Sequence, residues 1–266
     1  TIEVTATGCL GPCSRGPLVT VQRPGAADAI YEKVTPGMAQ RILASHLEKT
    51  PSGENLLPQN FPFLTRQTRI VLENCGRIDP EKIDHYLAAD GYAALARALT
   101  DFTPEAVCDA VVASGLRGRG GGGYPTGLKW QLLRKAPGAQ KFVVANGDEG
   151  DPGAYMDRAL MESDPHRIVE GMAIAGRAVG ATRGYVYIRG EYPLGEARKR
   201  GWPILSLPAV LGMWGVPDDG CVLIADDGSE VWRDTVVVFP TSPSDVMTAM
   251  FGPMPTASDA EAIIAA

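Results

Sequence analysis

A run of four consecutive glycines, residues 120–123, restricts the fold of this chain more than any other feature. It lies in a basic segment that reads Ser114-Gly-Leu-Arg-Gly-Arg-Gly-Gly-Gly-Gly-Tyr-Pro-Thr-Gly-Leu-Lys-Trp130. Glycine lets backbone amides approach a ligand without a Cβ atom in the way, and it readily adopts positive φ. A helix that begins after Pro125 would direct its first amides towards an anion, to which the Arg and Lys side chains add charge. The segment predicts a phosphate site for a larger planar cofactor, but a flexible structural loop is the alternative. The spacing fits neither standard glycine-rich nucleotide-binding motif.

Helices and strands alternate around this segment. The sequence predicts helices near residues 104–114, 127–135 and 159–179, and strands at 141–145 and 185–189. Earlier in the chain, strands at 2–5 and 18–21 precede a helix at 36–46, and the proline-rich residues 51–62 have the composition of a linker. Thr35-Pro36, Asp79-Pro80 and Thr103-Pro104 are typical helix starts. This order predicts an α/β fold with a parallel sheet.

An apolar run at residues 143–145 ends in a group of acids and an amide. These are Asn146, Asp148, Glu149 and Asp151. In open α/β sheets, ligands bind at the carboxyl ends of the strands. Carboxylates there cannot hold a phosphate, but they accept hydrogen bonds from sugar or ribityl hydroxyls and from ring N–H groups. The alternative is a solvated acidic turn.

Cys9 and Cys13 lie four residues apart in a loop rich in Gly and Pro. Such a loop can turn both thiols towards one metal or cluster, yet two thiolates are only half of the four ligands of a [2Fe–2S] cluster. A structural loop with two thiols is the alternative. The other three cysteines are predicted to be small buried hydrophobic residues. The histidines form no catalytic pair, since His46 and His85 are predicted on helix surfaces and His166 at a helix start.

Composition excludes several classes of protein. The 266 residues carry a net charge of -6 and are 45% hydrophobic, which is ordinary globular composition. The chain has no basic tract, which argues against binding to nucleic acid through phosphates. No segment is suited to a membrane span or a signal peptide, and the few cysteines fit a reducing cytoplasm. Residues 201–266 contain one base and nine acids, so a boundary is predicted near residue 200.

Four segments in order resemble one family. They are residues 114–130, residues 146–158, Ser163-Asp-Pro-His-Arg-Ile-Val-Glu-Gly-Met172 and Tyr187-Ile-Arg-Gly-Glu-Tyr-Pro193. They resemble the NADH-oxidising, FMN-binding flavoprotein subunit of respiratory complex I, whose relatives serve NAD-linked hydrogenases and formate dehydrogenases. Residues 67–80 and the Cys9/Cys13 pair are similar to the hydrogenase type, in which a thioredoxin-like [2Fe–2S] domain precedes the flavin domain. The resemblance covers about residues 2–198.

The resemblance implies a role for each matching residue. The reaction would be hydride transfer between NAD(H) and FMN, after which electrons pass to iron–sulfur centres of partner subunits. Cys9 and Cys13 would be the second ligand pair of the [2Fe–2S] cluster. Tyr124 would stack on NADH, and Asp151 would lie near the nicotinamide. The residues expected to hold FMN are Gly118, Arg119, Gly120, Gly121, Gly122, Lys129, Asn146, Asp148 and Glu149.

The resemblance also implies an organisation of the chain and marks where it departs from the family. The expected parts are a partial thioredoxin-like [2Fe–2S] domain (1–48), a linker and helical segment (49–100), a Rossmann-like FMN/NADH-binding α/β domain (101–200) and an acidic tail (201–266). The first cysteine pair, the last segment of the flavin pocket and the cysteines of the family's [4Fe–4S] domain have no match. The tail is predicted to contain a hairpin of residues 221–225 and 231–240. The chain is expected in the cytoplasm or at the periphery of a membrane complex. The alternative function is a non-catalytic structural or interaction module that keeps the fold.

Overall fold

The computed structural model describes residues 2–147, 149–151 and 153–188, and three short strands at 222–224, 230–233 and 237–238. The chain divides into two compact units. The N-terminal unit consists of residues 9–77. The C-terminal unit consists of residues 78–266 together with residues 1–8. The division into domains at residues 48, 100 and 200 stays a prediction. None of the described helices is long and apolar enough to cross a bilayer.

The N-terminal unit is built on a small antiparallel pair and one long helix. Strand β1 (Val19–Val21) pairs with β2 (Ala29–Tyr31), and the helices are α1 (Pro36–Leu47) and the short α2 (Pro62–Thr65). The predicted cap of α1 is confirmed, because the Thr35 hydroxyl accepts a hydrogen bond from the amide of Met38 at 3.3 Å. The core of the unit lies between α1 and the strands and consists of Ala29, Tyr31, Val34, Met38 and Ile42.

Two of the predictions for the start of the chain are wrong. Residues 2–5 form no strand, because their backbone groups find no partner strand among the described residues. Residues 51–62 are not a bare linker. The amide of Leu57 donates to the carbonyl of Ile30 at 2.8 Å, and Leu56 forms an antiparallel bridge with Tyr31. Burial of Leu57, with 4% of its surface exposed, fixes this polar stretch on β2.

The prediction that His46 lies on a helix surface is wrong, because the side chain is buried. Its Nε2 atom lies 2.8 Å from the hydroxyl of Tyr31, and the two rings meet edge to face. Burial, with the nearby Arg23 as the second cause, lowers the pKa of His46. His46 is thus a core residue that joins α1 to β2. The other histidine predicted on a surface, His85, is half-buried, and its Nδ1 atom accepts the amide of Asp79 at 3.2 Å.

The C-terminal unit contains both helices and strands. Its helices are α3 (Ile83–Ala88), α4 (Ala93–Thr100), α5 (Pro104–Ala113), α6 (Thr126–Lys135), α7 (Met156–Ser163) and α8 (Pro165–Val179). Its strands are β3 (Phe142–Gly147), β4 (Arg183–Ile188), β5 (Val222–Ile224), β6 (Glu230–Arg233) and β7 (Val237–Val238). The Thr103 hydroxyl accepts the amide of Ala106 and caps α5. The α/β fold class is therefore confirmed at the level of mixed helix and strand.

The central sheet of this unit has the order β3-β4-β7. Strands β3 and β4 are parallel over their full lengths, from Phe142 opposite Arg183 to Gly147 opposite Ile188. Strand β7 pairs with β4 in the antiparallel direction, so the sheet is mixed rather than purely parallel. Strands β5 and β6 form a separate antiparallel pair in the segment where the sequence predicts a hairpin.

The sequence predicts a long helix within residues 159–179 and places His166 at a helix start, and the structure has two helices in this region. Helix α7 ends at Ser163 and α8 begins at Pro165, with Asp164 between them at φ -150°. Proline has no amide hydrogen and disfavours helical backbone in the residue before it. The break therefore has a local cause. Gly180, at φ 77°, ends α8 in a left-handed cap.

A buried polar cluster joins α8 to α3 and α4. The Glu170 carboxylate accepts the hydroxyl of Tyr86 at 2.5 Å and the backbone amides of Tyr92 and Leu95 at 2.9 and 3.0 Å. The Tyr92 hydroxyl lies 2.9 Å from Nδ1 of His166, whose burial lowers its pKa to about 4. Burial, followed by the hydrogen bond to Glu170, raises the pKa of Tyr86.

The core of the C-terminal unit surrounds this cluster. Val143 packs against both apolar groups of residues in this core, and each group includes residues of α8. The prediction that scattered cysteines are buried is confirmed for Cys75 in the N-terminal unit and Cys108 in this one, each 1% exposed. Cys221 lies outside the described residues.

Candidate functional site

The glycine-rich segment forms a loop that is closed at its base. The amide of Thr126 donates to the carbonyl of Leu116 at 2.9 Å, and the amide of Gly118 donates to the carbonyl of Tyr124 at 2.8 Å. Arg117 and Pro125 form an isolated antiparallel bridge between these two bonds. The ends of the loop are thus held together much as in a short hairpin.

The tip of the loop, residues 119–123, is open. Gly121 and Gly123 have φ angles of 99° and 58°, a region that other residues rarely adopt. A Cβ atom placed on Gly120, Gly121 or Gly122 would have no heavy atom within 4 Å. Among the described residues, no backbone carbonyl accepts the five amides of the tip. These donors are therefore available to a ligand or to water.

Helix α6 begins where the loop ends, and a close contact with α5 fixes its first turn. A Cβ atom on Gly127 would stand 2.5 Å from the backbone nitrogen of Val112, so only glycine fits there. The first residue after Pro125 is already helical, and no side chain of the described residues caps this helix. The N-terminal end of α6, which carries partial positive charge, consequently adjoins the open loop.

Cationic and aromatic side chains surround the loop. The Arg117 guanidinium lies closest to Gly123, with its Nε 3.6 Å from the Cβ position of that residue. Arg119 and Lys129 are exposed, and Tyr124 has 53% of its surface exposed. Arg117 is not among the residues that the resemblance implies, but it lies two residues before Arg119 in the same basic segment of the sequence.

The described residues of the acidic segment at the end of β3 differ in their exposure and in their contacts. Asn146 and Asp151 are exposed, and the Asp151 carbonyl accepts the amide of Ala154 at 3.2 Å. Asp148 lies outside the described residues. Glu149 caps α7, because its two carboxylate oxygens accept the amides of Asp157 and Arg158 at 3.0 and 3.2 Å. The sequence does not predict this cap.

The Glu149 cap has an electrostatic consequence at the start of α7. Burial, and next the Glu149 carboxylate, raises the pKa of Asp157. Glu149 itself has a φ of 46°, so its backbone departs from the usual regions to bring the carboxylate under the helix. An acidic residue in this position is favourable, because it faces the positive end of the helix dipole.

The predicted FMN residues thus fall into two parts of the unit. The glycine loop and Lys129 adjoin the start of α6, and Asn146 and Glu149 lie at the end of β3. The described hydrogen bonds of residues 118–124 are made within the loop and do not reach the acidic segment. A site that uses both parts stays a prediction.

Cys9 and Cys13 lie close together, and their role as metal ligands stays a prediction. Their Sγ atoms are 3.4 Å apart, and the amide of Gly11 donates to the Sγ of Cys9 at 3.3 Å. Within the part of the chain that the structure describes, no group of three or more His, Cys, Asp or Glu side chains could hold a metal ion. The pair is at most part of a site.

A stretch in the middle of the chain matches a known family. A family model described as the Nuo51 FMN-binding domain matches residues 111–199, which include the glycine loop and the acidic segment. The resemblance predicted from the sequence is therefore confirmed for these residues.

Curated relatives are similar over about half of this chain. The HndC subunit of the NADP-reducing hydrogenase of Solidesulfovibrio fructosivorans is 58% identical over 133 residues, which are 50% of this chain and 27% of the relative. The F 2 subunit of the NADH-quinone oxidoreductase of Rhizobium meliloti (strain 1021) is 47% identical over 46% of this chain and 29% of its own length. The F subunit of the same enzyme from Escherichia coli (strain K12) is 45% identical over 42% of this chain and 26% of its own. The matched part of this chain thus spans less than a third of each of these relatives.

A solved structure, an NAD+-reducing [NiFe]-hydrogenase in the air-oxidized state, is 26% identical with a TM-score of 0.38. That match covers 65% of this chain and 31% of the hydrogenase chain.

Proposed function

We propose that this chain is the FMN-binding part of an NADH-oxidising flavoprotein and takes part in hydride transfer between NAD(H) and FMN. The match of residues 111–199 to the Nuo51 FMN-binding domain supports this. The observation that carries the proposal is the glycine loop, which is closed at its base and offers five amides at an open tip. Such an arrangement suits an anionic ligand that must lie against the backbone.

The loop residues fit the phosphate of FMN. The phosphate would accept amides of residues 119–123 and lie near the N-terminal end of α6, where the helix dipole favours negative charge. Arg119 and Lys129, with Arg117 beside them, would neutralise it by charge-assisted hydrogen bonds. Absence of a Cβ atom at Gly120, Gly121 and Gly122 leaves the space that the ligand needs.

Other residues would orient the flavin and the nicotinamide. Asn146, Asp148 and Glu149 would accept hydrogen bonds from ribityl hydroxyls and ring N–H groups. The exposed ring of Tyr124 would stack on NADH, and Asp151 would lie near the nicotinamide. FMN, when bound, supplies hydride acceptance and one-electron transfer, whereas the protein supplies position and electrostatics.

The partners would be iron–sulfur subunits of a NADH dehydrogenase, hydrogenase or formate dehydrogenase complex, which take the electrons onward. Two sulfur ligands on one tetrahedral metal with bonds of about 2.3 Å are about 3.8 Å apart. The 3.4 Å between the Sγ atoms of Cys9 and Cys13 is close to that separation. The pair would be half of a [2Fe–2S] site in a thioredoxin-like unit, with a second pair supplied from elsewhere. A cytoplasmic location, in solution or at the periphery of a membrane complex, belongs to the same proposal.

Flavin titration of the purified chain tests the loop. Gly122→Val is the sharpest variant, because the position has open space and a φ outside the left-handed region, so the ligand-free loop tolerates a side chain. Gly53→Val is the matched control, since Gly53 is equally open and lies in the N-terminal unit. Loss of two charge-assisted hydrogen bonds costs about 3 kcal/mol, or roughly a hundredfold in FMN affinity. Unchanged FMN binding in Gly122→Val would remove the loop from the proposal.

Bleaching of the bound flavin by NADH tests the reaction. The visible absorption band of the FMN-loaded chain should fall on mixing with NADH in a stopped-flow instrument. Tyr124→Leu should raise the NADH concentration at which the rate of flavin reduction is half-maximal. The FMN affinity should stay the same, because the ring is expected to contact only the nicotinamide nucleotide. If the chain binds FMN but NADH never reduces the bound flavin, the hydride-transfer proposal is wrong and the chain is a non-catalytic module.

A further inference from the structure

Cys9 and Cys13 form a pair of neighbouring thiols in the N-terminal unit that hydride transfer does not use. Both side chains are exposed, and no disulfide joins them, although their Sγ atoms are only 3.4 Å apart. Disulfide sulfurs are about 2.05 Å apart, so the two atoms need to approach by about 1.4 Å. Side-chain rotation and a small loop adjustment can supply that movement.

The loop is held in place between the two cysteines and just after them. The Arg69 guanidinium donates to the carbonyl of Leu10 at 2.5 Å, and Arg15 forms an ion pair with Glu32 at 2.7 Å. Between the cysteines, Gly11 adopts a φ of 115° and turns the chain back on itself. These contacts and this turn keep the two thiols together.

We propose that Cys9 and Cys13 are a modification site that forms a reversible disulfide by exchange with a low-molecular-weight disulfide such as oxidised glutathione. The Sγ of Cys9 attacks one glutathione sulfur, forms a mixed disulfide and releases the first glutathione thiolate. The Sγ of Cys13 then attacks the Cys9 sulfur, closes the ring and releases the second. The two protein thiols lose two electrons and two protons in all, and oxidised glutathione becomes two reduced glutathione molecules. The Gly11 amide, which donates to Cys9 Sγ at 3.3 Å, favours Cys9 as the first nucleophile.

The disulfide would be labile rather than structural. The ring encloses only three residues between the cysteines, so it removes little entropy from the unfolded chain. Both sulfurs are exposed and open to attack by reduced glutathione. Formation of the disulfide also excludes metal ligation by this pair, because a sulfur in the disulfide is no longer available as a thiolate ligand. The site does not rest on flavin binding, so its failure would leave the proposed hydride transfer between NAD(H) and FMN untouched.

Thiol alkylation after equilibration in glutathione buffers tests the proposal. The full chain, reduced and treated with EDTA, is equilibrated without oxygen at graded ratios of reduced to oxidised glutathione and then alkylated. Trypsin cleaves after Arg15, so residues 1–15 form one peptide that contains Cys9 and Cys13 and no other cysteine. We expect this peptide to lose both alkyl groups together as the buffer becomes more oxidising. The buried Cys75 and Cys108 should keep their thiols at the same ratios and be alkylated after unfolding.

A Cys13→Ser chain separates the two steps. It should retain one glutathione on Cys9, because the second thiol is missing and the ring cannot close. Cys75→Ser is the matched control and should leave the oxidation of the peptide unchanged. Two alkyl groups on the peptide at every ratio would overturn the proposal. Separate glutathione adducts on both cysteines, or a disulfide from either of them to any other cysteine, would overturn it equally.

Discussion

Glu170 should be the most important single side chain for the stability of the C-terminal unit. It is 8% exposed, and its carboxylate accepts three hydrogen bonds, from the hydroxyl of Tyr86 and the amides of Tyr92 and Leu95. Tyr92 precedes α4 and Leu95 lies in its first turn, so Glu170 caps α4 from a different helix. No side chain within α4 itself provides a cap.

The expected cost of Glu170→Ala follows from these contacts. Removing one partner of a buried charged network typically costs about 3–5 kcal/mol, because the remaining donors then have neither a protein acceptor nor water as a hydrogen-bond partner. We therefore expect a loss of about 4 kcal/mol in the free energy of unfolding. Glu170→Gln keeps one acceptor oxygen and should cost about 2 kcal/mol. Tyr86→Phe removes a single donor and should cost about 1.5 kcal/mol.

Native-state hydrogen exchange is the direct assay, because it measures the protection of the amides that donate to the Glu170 carboxylate. A loss of about 4 kcal/mol corresponds to roughly a thousandfold faster exchange at Tyr92 and Leu95 if they exchange by unfolding of the unit. Glu162→Ala is the matched control, since Glu162 is an exposed partner of Arg158 on α7. Its effect should stay below about 0.5 kcal/mol.

A double-mutant cycle between Tyr86 and Glu170 tests the assigned contact. The coupling free energy should be about 1–2 kcal/mol, because each side chain needs the other to be satisfied. If the two substitutions are additive, or if Glu170→Ala costs less than about 1 kcal/mol, the cap is not what holds α4 in place.

Three further outcomes are expected from the same unit. Because burial lowers the pKa of His166 to about 4, the unfolded chain takes up a proton on this ring between about pH 6.5 and 4 while the folded chain does not. The contribution of His166 to the free energy of unfolding should be complete above about pH 6.5 and should fall by up to about 3 kcal/mol towards pH 4. Urea titrations of His166→Leu should not show this decrease. Glu149→Gln should weaken the cap of α7 by about 1 kcal/mol and bring the pKa of Asp157 back towards its ordinary value, measured by NMR titration; an unchanged pKa would contradict the assigned electrostatics. Gly127→Ala should cost about 1–3 kcal/mol in thermal unfolding, because its Cβ would meet the backbone of Val112 at 2.5 Å; no loss would show that α5 and α6 can separate.

Local signals in the sequence predict much of the fold. Thr35 and Thr103, each followed by proline, cap α1 and α5 as predicted, because an N-cap hydroxyl needs only the amide three residues later. The glycine run forms an open loop before a helix, because no other residue adopts positive φ angles as easily as glycine. Each of these predictions depends on a few neighbouring residues, which the sequence supplies directly.

Contacts between distant segments are not predicted, because nothing in a single segment identifies the partner. Glu170 meets α4 from 75 residues away along the chain. His46 is predicted on a surface because histidine is polar, although Met38, Ile42 and His46 share one face of α1 at four-residue spacing. That spacing is a usable sign of burial. The partner of His46, Tyr31, lies in a strand that the sequence does not predict.

Glu149 shows how a side chain with a proposed ligand role can also cap a helix. An ionised carboxylate has about four lone-pair positions, and the two helix amides of α7 occupy one on each oxygen. The cap fixes the orientation of the carboxylate, which in the proposed site would accept hydrogen bonds from a flavin. The sequence identifies the acid from its place at the end of β3, but the cap depends on contacts with the amides of Asp157 and Arg158, which only the folded chain shows. A residue held in this way needs no ligand to be ordered. The Glu149 side chain is therefore held in place without a ligand, while the amides at the tip of the glycine loop have no backbone acceptor among the described residues.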